Sequence, residues 1–205
     1  MDDPELHWRK VWASKAPDEV SWFEPEPATC LELIGAVAPS KDSKIIDVGG
    51  GASFLVDRLL DQGYSSVIVA DISDAALGVA RARLGDRGGQ VTWLVADVRH
   101  LRLSQHVDVW HDRAVFHFLT AEADREAYLN SVRGALRVGG HVVMVTFGLR
   151  GPERCSGLLV ERYDAGKLSQ RFGSEFELLR SFERHHVTPS GAEQEFTYAV
   201  FQRHR

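Results

Sequence analysis

The chain has 205 residues, of which 44% are hydrophobic and 26% charged, with a formal net charge of −5. That length and balance fit one compact domain and exclude a disordered polar chain. No apolar run approaches the roughly 20 residues that cross a bilayer, and the acidic balance lacks the basic footprint that binding to a phosphate backbone demands. Met1-Asp2-Asp3-Pro4-Glu5 is acidic and polar, unlike a secretory leader. The expected protein is cytoplasmic, with neither a membrane nor a nucleic acid as partner. Its two cysteines, Cys30 and Cys155, fit neither a disulfide framework nor a zinc pattern, and no metal is expected.

The first forty residues differ in kind from the rest. Trp8, Trp12, Trp22 and Phe23 sit among charges, and Pro17, Pro25 and Pro27 break the segment up, which suggests a helical lid over residues 1–40. From residue 41 onward apolar runs alternate with helical spacing. Residues 44–48 read as a strand, 54–60 as a helix, 66–70 as a strand and 74–84 as a helix capped by Ser73 or Asp74. Strands over 91–95 and 107–110 follow, then a helix over about 122–136 that Gly139-Gly140 should stop, and a strand over 141–146. Such alternation predicts a mostly parallel α/β sheet with helices on both faces. A short helix over 164–172 precedes two extended runs, 176–187 and 196–204, separated by the turn Thr188-Pro189-Ser190-Gly191. A hairpin there gives the sheet an antiparallel edge.

Ligands of open α/β sheets bind outside the carboxyl ends of the strands. The first such end is Asp47-Val48-Gly49-Gly50-Gly51-Ala52-Ser53, where glycines allow a tight turn and close approach of a ligand. Asp71 ends the next strand about twenty residues on, where an acid can accept from a ribose diol, and Ala96-Asp97 at the third strand end suits an adenine amino group. A dinucleotide turn wants a further glycine where Phe54 stands, and Asp47 would repel a pyrophosphate. These features weaken an NAD-dependent oxidoreductase and favour a cationic, phosphate-free adenosine ligand.

In this order, from residue 44 to 147, the motifs resemble those of the class I S-adenosylmethionine-dependent methyltransferases. Asp47, Gly49 and Gly51 match the acid and alternate glycines of the first motif, with Ser53 where a third glycine usually stands. The resemblance implies a single Rossmann-like domain over 1–205, with residues 41–205 forming a seven-stranded core whose last strand is antiparallel. It implies S-adenosyl-L-methionine as cofactor, with Gly49 and Gly51 beside the methionine portion. Asp71 would bind the ribose, Ile72 would pack on the adenine, and Asp97 with Val98 would flank it. The stretches His7-Trp8-Arg9-Lys10-Val11-Trp12 and Val20-Ser21-Trp22-Phe23 resemble the lead-in of a subgroup that contains protein-lysine and small-molecule enzymes.

A sulfonium donor is already activated, so the protein mainly aligns the reactants, adding a base only for a protonated acceptor. Trp110-His111-Asp112-Arg113-Ala114-Val115-Phe116-His117 would border the methyl group. Within it Asp112 and His117 are the candidate catalytic residues, and Arg113 suits a substrate carboxylate. The competing reading makes Asp112 and Arg113 a structural ion pair and His117 a core histidine. Trp22 and Phe23 are the other substrate-site candidates, placed to face a cation. The Pro-Pro-aromatic signature of nucleobase amine methylation is missing from residues 112–115. Arg150, Arg154 and Arg162 could meet an anionic substrate, and His185 and His186 lie on opposite faces of their strand. The reading is methyl transfer to a small-molecule acceptor. A protein lysine, or a donor-binding module without turnover, is the alternative.

Overall fold

The computed structural model describes residues 4–14 and 16–205. Met1, Asp2 and Asp3, read above as part of an acidic start, lie outside them. In chain order the elements are α1 (Pro4–Ser14), α2 (Ala28–Val37), β1 (Lys44–Val48), α3 (Leu55–Asp61), β2 (Ser66–Asp71), α4 (Asp74–Leu84), β3 (Val91–Val95) and β4 (Val107–Arg113). There follow α5 (Glu122–Ala135), β5 (Leu136–Phe147), a small hairpin of β6 (Arg154–Cys155) and β7 (Leu158–Leu159), α6 (Ala165–Phe172), β8 (Phe176–Val187) and β9 (Glu193–Arg203).

The seven-stranded sheet runs β3-β2-β1-β4-β5-β9-β8, with β9 antiparallel to both its neighbours. The hairpin therefore forms as expected, but its antiparallel member is inserted one strand in from the edge, and β8 takes the edge. Alternating side chains feed two cores. Ile45, Val67, Val109 and Val143 face Leu33, Leu59 and Leu77 from α2, α3 and α4. Ile46, Trp110, Val142 and Met144 face Tyr128, Val132 and Phe172 from α5 and α6. Full burial of each such side chain contributes roughly 1.5–3 kcal/mol, so the two helical layers hold the strand ends in fixed relative positions.

Helix starts follow local chemistry. The Ser73 hydroxyl accepts from the Ala76 N–H at 3.3 Å and caps α4, and the Asp164 carboxylate accepts from the Lys167 N–H at 2.8 Å to cap α6. The glycine stop expected after α5 does not occur. The helix ends at Ala135 and β5 starts at the next residue, Leu136, which pairs with Val107 before the register slips so that His141 pairs with Val109. Gly139, at φ +76°, and Gly140 form this irregularity inside the strand; a Cβ on Gly140 would stand 2.9 Å from the Arg137 carbonyl oxygen. β4 also runs three residues beyond the expected 107–110, carrying Arg113 to the sheet's carboxyl edge. No helix among the described residues is long and apolar enough to cross a membrane.

Candidate functional site

A cavity of about 260 Å³ opens at the carboxyl ends of the parallel strands. Gly49, Asp71, Ile72, Asp97 and Val98 line it from the strand ends, and His7, Trp8, Trp12, Trp22 and Phe118 line the same space. The aromatics contact one another edge to face: Trp8 lies 5.8 Å from Trp22 and 5.1 Å from Phe118, and Trp22 lies 6.3 Å from Trp12. A smaller cavity of about 60 Å³ shares Trp12, Trp22, Gly49 and Arg113 with the first and descends over the glycine turn to Asp47, His111, Cys30, Phe23 and Glu24.

The turn is shaped by the space it leaves. Gly49 and Gly51 have φ of +66° and +41°, a region that side chains rarely adopt. A Cβ on Gly49 would fall 2.0 Å from Cγ2 of Val115, and one on Gly51 would fall 2.9 Å from Oδ2 of Asp71. Asp71 accepts from the Ser73 N–H at 2.8 Å. Loss of surrounding water pushes its carboxyl up to about 7; the Ser73 N–H opposes this and the Asp47 charge adds to it. Asp97 differs. Burial acts to raise it, but Arg99 outweighs burial and holds it below its ordinary value. Arg99 donates to the Asp97 carboxylate from its backbone N–H at 2.9 Å and from Nε at 3.0 Å, and to Asp124 at 2.8 Å. Asp97 thus lines the cavity with a carboxylate already committed to a neighbour.

The smaller cavity holds two ion pairs. Nδ1 of His111 donates to Oδ1 of Asp47 at 2.7 Å, and Nε of Arg113 lies 3.2 Å from Glu24. Burial alone would lower the His111 imidazole, but the neighbouring Cys30 and Asp47 reverse this and raise it to about 10. Oδ2 of Asp47, Nε2 of His111 and Nη2 of Arg113 are buried without a hydrogen-bond partner. Nη1 of Arg113 donates to the Trp22 carbonyl at 2.8 Å, tying the N-terminal segment to the end of β4.

The geometry places Arg113, Trp22 and Phe23 at the cavities and Asp112 and His117 away from them. Neither Asp112 nor His117 lines either cavity: Asp112 sits between His111 and Arg113 on β4, where alternate residues face opposite ways, and His117 lies beyond the strand, fully buried in the core. His111 and Arg113 point to the glycine turn, and Asp112 points into the core beneath α5. There Asp112 accepts from the Val115 N–H at 2.9 Å, the Phe116 N–H at 3.2 Å and the Tyr128 hydroxyl at 2.6 Å. It forms no ion pair with Arg113, whose partner is Glu24; burial pushes the Asp112 carboxyl up to about 6 despite its donors. His117 is fully buried, stacked 4.5 Å from Phe147, and its Nδ1 accepts from the Phe147 N–H at 3.2 Å. Burial, aided by the Arg113 charge, lowers it to about 3, so it is neutral at ordinary pH. Arg150 is spent on buried Glu195 at 2.8 Å, and His186 on the Ser21 carbonyl at 2.9 Å. Among the described residues no cluster of three or more His, Cys, Asp or Glu could hold a metal ion. The residue that sequence reasoning passed over is His111. It stands directly opposite Asp47 in the β1–β4 register, a pairing that the sequence alone does not signal.

A family profile described as a methyltransferase domain matches residues 45–140. The chain is 30% identical over 109 residues to the ubiquinone/menaquinone biosynthesis C-methyltransferase UbiE of a Shewanella species, covering 51% of this chain and 42% of that protein. It is 25% identical over 95 residues to the eEF1A lysine and N-terminal methyltransferase of Mus musculus, covering 46% of this chain and 13% of that protein. The match therefore spans less than half of either relative. Among solved structures, an S-adenosylmethionine-dependent methyltransferase from Anabaena variabilis superposes with a TM-score of 0.76 at 16% identity, covering 99% of this chain and 96% of that one. The 1,6-didemethyltoxoflavin-N1-methyltransferase of Burkholderia thailandensis, bound to 1,6-didemethyltoxoflavin and S-adenosylhomocysteine, gives 0.70 at 18% identity over 98% and 84% of the two chains. At these identities the structures share the fold.

Proposed function

We propose that the chain is a class I S-adenosylmethionine-dependent methyltransferase and that it methylates a small-molecule acceptor held against the aromatic wall of the larger cavity. The observation that carries this reading is the lining of that cavity. Asp71, Ile72 and Val98 line it from the strand ends, suited to an adenosine, while Trp8, Trp12, Trp22 and Phe118 supply an aromatic lining to the same space.

The residues fit the cosubstrate. The glycine turn packs so tightly that a Cβ on Gly49 or Gly51 would strike Val115 or Asp71, and Oδ2 of Asp47 is a buried acceptor without a donor. When bound, S-adenosylmethionine supplies a methyl group already activated on a sulfonium sulfur. Asp71 would accept from the ribose hydroxyls, Ile72 would cover the adenine, and Gly49 and Gly51 would let the backbone approach the methionine portion. The aromatic residues of the N-terminal segment act as a lid that excludes water and orients a flat acceptor. Arg113, held by Glu24 and the Trp22 carbonyl with Nη2 buried beside them, is suited to an anionic oxygen on that acceptor. Because Asp112 and His117 lie outside the cavities, we assign neither as a base. This favours acceptors whose attacking atom already has a lone pair at neutral pH, such as a ring nitrogen, a thiolate or a stabilised enolate.

The test is transfer of label from methyl-labelled S-adenosylmethionine into a cell extract separated by size, with Asp71→Ala as control. Label among small solutes that disappears with the variant is the expected result. Label in the protein fraction would move the assignment to a protein lysine, and no transfer with intact donor binding would make this a donor-binding module.

A further inference from the structure

The smaller cavity contains an arrangement that the transfer reading leaves unused. Asp47 and His111 face each other on adjacent strands, with side chains 4% and 2% exposed and a 2.7 Å contact between Oδ1 and Nδ1. Each residue keeps one buried polar atom without a partner, Oδ2 on the acid and Nε2 on the imidazole, and both residues line the cavity. A buried charge is expensive unless it is paired. The titratable groups that act on His111 are Asp47 from β1, Cys30 from α2 and its own neighbour Asp112 on β4, while Arg113, two residues along, is paired with Glu24. The pocket thus holds acids and bases in matched pairs.

We propose that His111 is a positioning and charge-balancing residue of the donor site, holding Asp47 by Oδ1 and leaving Oδ2 unpartnered beside the cavity, while its imidazolium cancels most of the carboxylate's field. The inference rests on the donor-binding reading above. A cationic donor loses its charge from sulfur as the methyl group leaves. A lone carboxylate nearby therefore stabilises the ground state more than the transition state and slows transfer. The same carboxylate would favour the sulfonium donor over the neutral sulfide product. His111 removes both biases while leaving an oxygen for hydrogen bonding.

Calorimetric binding of S-adenosylmethionine, S-adenosylhomocysteine and adenosine to the wild type and to His111→Asn tests this. Asparagine can place an amide nitrogen where Nδ1 stands, keeping the donor and removing the charge. The expected outcome is unchanged adenosine affinity, with preference for S-adenosylmethionine over S-adenosylhomocysteine increased about tenfold and a slower single-turnover rate. A common shift of all three ligands, or an unchanged preference, overturns the inference. Wild-type protein that binds neither sulfur ligand removes the donor-binding reading itself. Histidine nitrogen spectra of the wild type decide the matter even if the variant does not fold. One ring protonated on both nitrogens across about pH 6–9 supports the assignment, and the lack of any such ring overturns it.

Discussion

Asp47 and Asp112 are near neighbours in the sheet, Asp112 pairing in register with Val48 and Asp47 with His111, yet they lie on opposite faces and meet different partners. Asp112 is surrounded by neutral donors from a turn and a tyrosine, which consume its acceptor capacity and close the loop after β4. Asp47 meets an imidazole on one oxygen and keeps the other buried without a partner. A carboxylate saturated by neutral donors stabilises a turn; one paired with a cation on one oxygen still has acceptor capacity on the other.

The strongest way to break this comparison is Asp112→Ala, which leaves the Tyr128 hydroxyl and the Val115 and Phe116 N–H groups without their acceptor. Urea denaturation should show a loss of about 3 kcal/mol, with the donor dissociation constant of the folded fraction unchanged; weakened donor binding at unchanged stability would return Asp112 to the site. Next in size is Asp71→Ala, expected to weaken donor binding by about 1.5–3 kcal/mol in calorimetry without lowering the denaturation midpoint. An unchanged dissociation constant would remove Asp71 from the ribose site.

The same carboxyl sets a pH dependence. Its value is raised from 3.8 to about 7 in the folded chain, so the stability it contributes is present below 3.8 and is lost as pH rises through 7. Ribose hydroxyls bond better to the ionised form, and donor affinity should therefore rise a few-fold between about pH 6 and 8. In Asp71→Asn the profile should be flat.

The two buried histidines offer a finer test. His111 is raised from 6.5 to about 10, so its contribution to stability is complete below 6.5 and is lost as pH climbs through 10. His117 is lowered from 6.5 to about 3, so its contribution is present above 6.5 and is lost as pH falls through 3. Denaturation midpoints measured across pH should lose the alkaline limb in His111→Asn and the acid limb in His117→Phe. His117→Phe should also cost about 1 kcal/mol at neutral pH, for the unpaired Phe147 N–H. Loss of the same limb in both variants would show that the two histidines do not differ in charge.

Much of the fold was legible because alternating apolar runs and glycine turns are local signals. The bounds of β3, α4 and β8 fall where hydrophobic spacing put them. The acids at strand ends were legible for the same reason: a strand's carboxyl terminus follows from its apolar run. Gly139 and Gly140 misled because a helix stop and a bulge inside a strand use the same conformational freedom, and only the pairing of β5 with β4 tells them apart. The facing of Asp112 and His117 was not legible, because a titratable residue beside the expected methyl position is chemically plausible whichever face it takes.

By itself the sequence determined the order of strands and helices, the glycine turn and the acids that follow it, since each depends on residues within one element or its turn. Only the tertiary structure decided that β9 inserts between β5 and β8, that His111 rather than Asp112 meets Asp47, and that Trp22 and Arg113 join the N-terminal segment to the strand ends. The physical reason is one of period and register. Side chains along a strand alternate face with every residue, so a shift of one position exchanges cavity for core, and register is set by packing between elements far apart in the chain.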